Sequence, residues 1–439
     1  GVIKGALILH HRAIPPSLNF SAPNPRVSFD ELNLRVQQTL EPLAADEPAS
    51  VVGVNSFGFG GTNGHVVLDA APAPRAPRDE APAKTRYLVP VSARSQDSLR
   101  QSAARLRTWL SDDERRLADV AFTLGARATH HDVRLAMPVT SSGDLVEHLA
   151  AFLADEPRTG RAFGRRAAAR SPKTAFVFSG MGPQWWGMGR ELLAEEPVFR
   201  AAVERCDAIF QSLAGWSVRE QMALDAERSR MDQAEVAQPA NFMLQVGLTE
   251  LWASWGITPD LIVGHSAGEV AATWAAGILE LEDAVTVIYH RSRLQQRATD
   301  KGRMLAAGLP ATRATALLGG FGGRVSVAAY NSPRSVTYTG DVDALQQLAT
   351  LLADMQVFNR MLDPRVPYHS HHMDPLREEL VESLSGLLPQ PARVPYYSVV
   401  SGDRADGREV DAAYWWANVR EPVYFQPAIE KMMSAGVDA

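Results

Sequence analysis

The chain has 439 residues, 46% of them hydrophobic and 21% charged, with a net charge of −6. That is ordinary globular usage, enough for large cores in about two to four domains, with no basic excess to suit a nucleic acid or an anionic membrane. No apolar run reaches the roughly 18 residues of a spanning helix, and a single cysteine, Cys206, excludes an internal disulfide and a thiolate metal site, which fits a reducing cytoplasm.

The N-terminus, GVIKGALILHHR, shows neither an initiator Met nor a signal-peptide pattern and reads as part of a longer polypeptide. Residues 1–70 look like the tail of a domain. Within them, VVGVNSFGFGGTNGHVVLDA predicts a strand, a glycine-rich turn and a strand. The lysine of a phosphate-binding loop is missing there and no helical pattern follows. Residues 71–86, APAPRAPRDEAPAKTR, predict an extended linker. Residues 87–170 predict a small α/β unit. Its strands are YLVPVSA and DVRLAMPVT, and its helices are SQDSLRQSAARLRTWL, capped by Ser95, and SGDLVEHLAAFLAD. It carries no catalytic constellation.

From Pro172 onward strands and helices alternate. KTAFVFSG reads as a buried strand, and ELLAEEPVFRAAVERCDAIF and PANFMLQVGLTELWASWG read as helices. DLIVGHS is the next buried strand. This order predicts a parallel sheet covered on both faces. Residues 303–362 differ. They read as β (303–308), α (311–318), β (324–330), β (334–339), α (342–354), β (356–362), the ferredoxin-like split βαβ order, and form an inserted subdomain.

In LIVGHSAGEVAATWAAG, Ser266 sits between Gly264 and Gly268 at the junction of a predicted strand and a predicted helix. G-H-S-A-G fits the G-x-S-x-G elbow, in which a sharp turn exposes a serine hydroxyl and the helix N-terminus adds positive potential. A glycine-flanked turn with no chemistry is the competing reading. A serine needs a base to act as a nucleophile, and VPYHSHHMDP offers His369, His371 and His372. One of them suits that role. The others read as polar side chains facing solvent, and no second ligand cluster supports a metal.

FVFSGMGPQWWGMG, AQPANFMLQVGL, GHSAGE, YHRSR, AAYNSP, PYHSHHM and YWWANVREPV follow in one order. In that order, residues 173–439 resemble the acyltransferase domain of type I polyketide or fatty acid synthases, the malonyl-CoA:acyl carrier protein transacylase family. IPPSLNF and NSFGFGGTNGHVVL make residues 1–70 similar to the C-terminal end of a ketoacyl synthase, and residues 71–170 fall where such synthases carry a linker domain. The resemblance implies an α/β-hydrolase-like parallel-sheet core with a nucleophile elbow and the ferredoxin-like insertion. It also implies a cytoplasmic role in polyketide or antibiotic biosynthesis, with no bound cofactor. The partners it implies are acyl-CoA, a phosphopantetheinylated acyl carrier protein and the ketoacyl synthase and other domains of the same synthase.

By position, the resemblance makes Ser266 the nucleophile and His369 its base, in a dyad whose histidine is oriented by a backbone carbonyl near Ser398. Arg291 matches the arginine that holds the free carboxylate of a malonyl-type group, a task suited to a guanidinium fork; Arg293 and Arg297 read as a solvated helix face. Gln238, Asn331 and His265 match substrate-binding positions, and the N–H groups of Met181 and Ala267 match the oxyanion hole. Met181 stands where most relatives have Gln, a change that leaves the main-chain donor in place. Trp185 and Trp186 read as packing.

Val366 and Tyr368 match positions that follow the size of the acyl α-substituent. Relatives that take malonyl usually carry Phe at the place of Tyr368, so its bulk favours malonyl-CoA. The small Val366 and Ala267 favour a larger alkylmalonyl-CoA. An acyl hydrolase on the same dyad is the alternative activity, and a non-enzymatic docking role describes residues 1–170.

Overall fold

The computed structural model describes residues 1–43, 51–71, 84–111, 116–166, 172–363 and 365–437. The expected linker at 71–86 lies outside them except for residues 71 and 84–86. The described residues divide into two compact units, Gly1–Thr85 and Arg86–Ala439.

In the first unit, α1 (Val2–His11) precedes a short antiparallel pair, β1 (Ala13–Ile14) and β2 (Glu41–Pro42). The hairpin of β3 (Val51–Phe57) and β4 (Asn63–Asp69) follows. The hairpin is the expected strand, turn and strand. The helix was not anticipated. A Cβ on its Gly5 would stand 2.8 Å from Leu68 and 3.1 Å from Val52, so the missing side chain lets α1 lie close on the hairpin.

The second unit begins with an antiparallel sheet in the order β5 (Tyr87–Ala93), β6 (Val133–Val139), β7 (Ala162–Arg165). Between these strands come α2 (Gln96–Ser111), α3 (Leu117–Phe122) and α4 (Ser142–Leu153). Ser95 caps α2 by accepting from the Ser98 N–H. Val89, Leu99, Leu135, Met137, Leu145 and Leu149 form a core of its own. Sequence reading missed α3 and β7; all four β7 residues are exposed, so it has no alternating pattern to detect.

The larger part of the unit runs β8 (Ala175–Phe178), α5 (Arg190–Glu195), α6 (Pro197–Ala214), α7 (Val218–Ala223), α8 (Ala234–Ser254), β9 (Leu261–Gly264), α9 (Gly268–Ala275) and α10 (Leu281–Gln296). The helix expected over 191–210 is two helices. Pro197, at the first position of α6, has no N–H to continue α5. The helix expected to open at Pro239 begins five residues earlier and carries that proline inside it.

The insertion follows as β10 (Arg303–Ala307), α11 (Ala311–Ala316), β11 (Val325–Ser332), β12 (Ser335–Gly340), α12 (Val342–Asp354) and β13 (Asn359–Met361). Its sheet is antiparallel throughout, in the order β11-β12-β10-β13, which is the expected ferredoxin-like arrangement. The chain closes with a short 3-10 turn (His371–Leu376), α13 (Arg377–Ser383), β14 (Tyr396–Ser398), β15 (Asp403–Ala405), α14 (Ala412–Arg420) and α15 (Phe425–Ser434).

The main sheet has the order β15-β14-β9-β8, with β8, β9 and β14 parallel. Ile262 of β9 packs into the cluster that holds α8, α9 and α10, while Leu261 and Val263 pack against Val423, Ala428 and Met432. Both faces of β9 are therefore covered, which is why its sequence is uniformly apolar rather than alternating.

At the end of β9 the backbone turns within two residues. His265 N–H donates to the Phe178 carbonyl at 2.8 Å, Gly268 N–H donates to the His265 carbonyl at 3.0 Å, and Ser266 lies in the left-handed region with φ +50°. The flanking glycines are required by contact. A Cβ on Gly268 would sit 2.3 Å from the Phe178 carbonyl oxygen, and one on Gly264 would sit 2.4 Å from the Glu269 Cα. Gly268→Ala is expected to destabilise the protein by about 3 kcal/mol, the upper range of overpacking, because the obstacle is backbone. A urea-unfolding midpoint unchanged from wild type would refute this.

Candidate active site

The turn after β9 carries Ser266 to a cavity of about 370 Å³. The exit from the insertion brings His369 to the same place, also in a left-handed conformation, with φ +61°. Ser266 Oγ and His369 Nε2 stand 2.8 Å apart. His369 Nδ1 is 2.9 Å from the Glu421 carbonyl oxygen. A carbonyl only accepts, so Nδ1 carries the proton and Nε2 presents its lone pair to the serine hydroxyl. The orienting carbonyl is thus Glu421 and not one near Ser398, as expected from the sequence. The Ser398 carbonyl accepts from Gly402 N–H at 2.9 Å, and the histidine is reached instead by the chain leaving α14.

Arg291, on the buried face of α10, is 1% exposed. Its Nη2 donates to Ser266 Oγ at 3.0 Å and its Nη1 to Gln238 and Gln295. Its Nε donates to Asn418 Oδ1 at 3.1 Å. Among the described residues it forms no ion pair with a carboxylate. Burial lowers its pKa to about 10, still charged at neutral pH. Burial and then the Arg291 charge push His369 down to about 3, so the imidazole is neutral.

The other expected residues separate into groups. Met181, His265, Asn331 and Tyr368 line the cavity with the dyad. His265 Nε2 faces Asn331 Oδ1 at 2.9 Å. Gln238 lies behind Arg291 rather than at the wall. The N–H groups of Met181 and Ala267 make no hydrogen bond with another described residue. Val366 is buried in the main core and, like Ala267, is not part of the cavity wall. Met304, Ala329 and Leu362 are, and sequence reasoning missed them. Trp185 and Trp186 are substantially exposed, ring to ring at 5.7 Å, rather than core packing.

Sequence reasoning also missed Gln295, Asn418 and Glu269. Gln295 stands one turn beyond Arg291 on α10, a spacing that puts both on one face. Glu269 and Asn418 lie inside GHSAGE and YWWANVREPV but carry no pattern of their own. Glu269 is fully buried and accepts from Tyr396, Tyr414, the Val399 N–H and Asn418 Nδ2.

His371 and His372 do not reach Ser266. Their Nε2 atoms lie 3.2 and 3.0 Å from Asp341 Oδ1, while Arg324 donates to Asp341 Oδ2. This is the one cluster among the described residues with the spacing of metal ligands. His372 is hydrogen-bonded to Asp341, and the Arg324 charge on the same carboxylate opposes a cation. Arg293 and Arg297 both pair with Glu379. Cys206 is buried and its thiol is pushed up to about 12, so it is inert.

Residues 175–439 match the family model described as the acyl transferase domain. The chain belongs to that family. Residues 23–137 match the ketoacyl-synthetase C-terminal extension. Among curated proteins, the chain is 36% identical over 445 residues to erythronolide synthase EryA3 of Saccharopolyspora erythraea, covering 100% of this chain and 14% of that one. It is 35% identical over 441 residues to the mycoketide-CoA synthase of Mycobacterium tuberculosis, covering 99% and 10%. The chain thus spans a small fraction of these relatives.

Among solved structures, the acyltransferase domain from module 8 of the salinomycin polyketide synthase is 30% identical with a TM-score of 0.75, over 80% of this chain and 83% of that one. The acyl transferase domain of SpnD, in complex with 2-(pent-4-yn-1-yl)malonyl, is 31% identical with a TM-score of 0.70, over 81% and 83%. The fold is that of polyketide synthase acyltransferase domains, and the protein is an acyltransferase of that kind.

With His369 neutral down to about pH 3, acylation of the acyltransferase by acetyl-CoA is expected to be flat from pH 8 to 5. Arg291→Ala removes a positive charge beside the imidazole and raises its pKa. The acid limb should then move up in pH, by only part of the shift, because burial, the larger cause, remains. Stopped-flow acylation rates against pH check this, and a wild-type rate that falls steeply below pH 7 would contradict it.

Proposed function

We propose that the domain transfers a malonyl-type extender unit from CoA to the phosphopantetheine thiol of an acyl carrier protein, through an ester on Ser266. The observation that carries this reading is Arg291, a buried guanidinium without a carboxylate partner among the described residues, within hydrogen-bond reach of the Ser266–His369 pair. Leaving a buried charge without a counter-ion is costly. A ligand carboxylate accepting from Nη2, the nitrogen that faces Ser266, would complete the site.

Ser266 Oγ attacks the thioester carbonyl while His369 Nε2 takes its proton. The developing oxyanion is received by the N–H groups of Met181 and Ala267. The C–S bond then breaks, and the proton held on Nε2 passes to the CoA sulfur as it leaves. The carrier thiol attacks the ester by the same steps in reverse, giving ping-pong transfer. Gln238 supports Arg291, while His265 and Asn331 line the acyl pocket. The substrate carboxylate offsets the Arg291 charge that depresses His369, so binding of the correct acyl group makes the imidazole a better base.

Residues 1–70 fit the end of a ketoacyl synthase, and 71–86 and 87–170 fit a linker and linker domain before an acyltransferase at 171–439. The carrier protein and the other domains of one cytoplasmic synthase are the partners, and no bound cofactor is needed. An acyl hydrolase on the same dyad would have no use for Arg291.

Ser266→Ala is expected to abolish the acyl adduct seen by intact-protein mass spectrometry after mixing with malonyl-CoA; an adduct that persists would end the assignment. Arg291→Ala should cost malonyl transfer at least about ten-fold, since a hydrogen bond to a charged group contributes about 1.5–3 kcal/mol. Acetyl transfer should change much less, and equal losses would count against a carboxylate role.

Malonyl-CoA is favoured over larger alkylmalonyl-CoA because the bulky Tyr368 is at the wall, while the small Val366 and Ala267 are not. One methylene alters discrimination by only about 1–3 kcal/mol, so the pocket should be leaky. In a three-way competition among malonyl-, methylmalonyl- and a longer alkylmalonyl-CoA, malonyl is expected to load fastest. Preference for the longer unit by kcat/KM would reverse this choice.

A further inference from the structure

We infer that Glu269 and Asn418 are positioning residues for Arg291, and that Glu269 sets which way round the Asn418 amide sits. The inference rests on the reading of Arg291 as the acyl-carboxylate ligand. Asn418 is buried between three groups. Arg291 Nε donates to its Oδ1 at 3.1 Å, while its Nδ2 donates to Glu269 Oε2 at 2.7 Å and toward the Ser266 carbonyl at 3.3 Å. Only one amide orientation satisfies a donor on one side and two acceptors on the other. Glu269 enforces it, because its other oxygen, Oε1, is occupied by the Tyr396 and Tyr414 hydroxyls and the Val399 N–H.

Burial raises the Glu269 pKa, while the four donors on its oxygens and its place in the first turn of α9 favour the carboxylate. It therefore stands one amide away from the guanidinium. The Asn418 amide lets the two charges face each other at one remove, without a direct ion pair that would take up the Arg291 fork. With Nε held by Asn418 and Nη1 by Gln238 and Gln295, the guanidinium plane is set and Nη2 is directed at Ser266. An amide in place of the Glu269 carboxylate creates a donor–donor conflict in either orientation. Its NH₂ must face the Val399 N–H and two hydroxyls, or else face Asn418 Nδ2. The second case turns the Asn418 NH₂ toward Arg291 Nε and disturbs the fork.

The test uses the 439-residue chain and the kcat/KM ratio of malonyl-CoA to acetyl-CoA for acyl-enzyme formation. Glu269→Gln is expected to lower this ratio at least about five-fold, mainly through KM for malonyl-CoA, by analogy with other charged hydrogen bonds. The double variant Glu269→Gln/Asn418→Ala should lower the ratio no further than Asn418→Ala alone, because without the amide Glu269 has nothing to orient, a non-additivity that independent packing defects do not show.

An unchanged ratio in Glu269→Gln overturns the inference, since both substrates then lose alike and the residue is only structural. A raised ratio overturns it too, because Glu269 would then act by repelling the substrate carboxylate. A loss in the double variant beyond that of Asn418→Ala has the same consequence. If Glu269→Gln does not fold, Asn418→Ala is read alone and should show the low ratio; an unchanged ratio there overturns the inference. Arg291→Ala run in parallel separates the layers. A ratio unaffected by it overturns the carboxylate reading itself, whereas a ratio lowered by it but not by Glu269→Gln overturns only the positioning role.

Discussion

A guanidinium is kept out of water next to Ser266, and the groups around it are arranged accordingly. A buried cation is tolerated only when its hydrogens are met. Arg291 is met by neutral oxygens from three different elements, Gln238 on α8, Gln295 on α10 and Asn418 on α14. Burial, and then the Arg291 charge, hold His369 neutral, which leaves the Nε2 lone pair available. The remaining edge of Arg291 faces Ser266, so the same side chain that would select a carboxylated acyl group sits beside the atom that would receive it.

The placement of Ser266 depends on contacts with little slack. The β8–β9 register puts Phe178 opposite Gly264, and the backbone beyond β8 then lies directly against α9. Gly268 and Gly264 have no room for a side chain, and Gly180 is pressed on the His265 carbonyl in the same way. The elbow is therefore a product of how closely β8, β9 and α9 are stacked, as much as of the local sequence. His369 arrives from the other direction, at the end of a chain that has left the insertion. That insertion is joined to the main sheet region by reciprocal hydrogen bonds, Tyr330 N–H to the Val423 carbonyl and Val423 N–H to the Ala328 carbonyl, both 2.9 Å. The Glu421 carbonyl that orients His369 lies two residues before Val423. The docking of the insertion and the orientation of His369 are thus built from one stretch of chain.

Among the described residues, no acid completes the pair as a third member. An acid on Nδ1 would stabilise the imidazolium, whereas a carbonyl fixes the tautomer without adding negative charge. With burial and then Arg291 lowering its pKa, the resting imidazole stays neutral. In the proposed reaction a substrate carboxylate would change that balance, so that selection of the acyl group and activation of His369 would be one event. The acid that is present, Glu269, is directed away from the histidine and toward Asn418.

Much was legible in the sequence because it is local. The apolar run of β9, the glycines on either side of Ser266 and the alternation within 303–362 each state a backbone geometry in a few residues. The elbow and the insertion could therefore be read directly, and the spacing of seven motifs carried the family. Helix ends were less legible, since Pro197 and Pro239 are compatible with more than one boundary until the neighbouring helices are in place. What the tertiary structure decided was which distant groups meet. Asn418 is 127 residues from Arg291, the Glu421 carbonyl is 52 from His369, and the walls contributed by Met304 and Leu362 lie outside the quoted motifs. A backbone carbonyl has no letter in a sequence, and a polar residue such as Asn418 or Glu269 has no periodicity. Their roles arise only when the packing of separate elements removes water and leaves each hydrogen bond with one available partner.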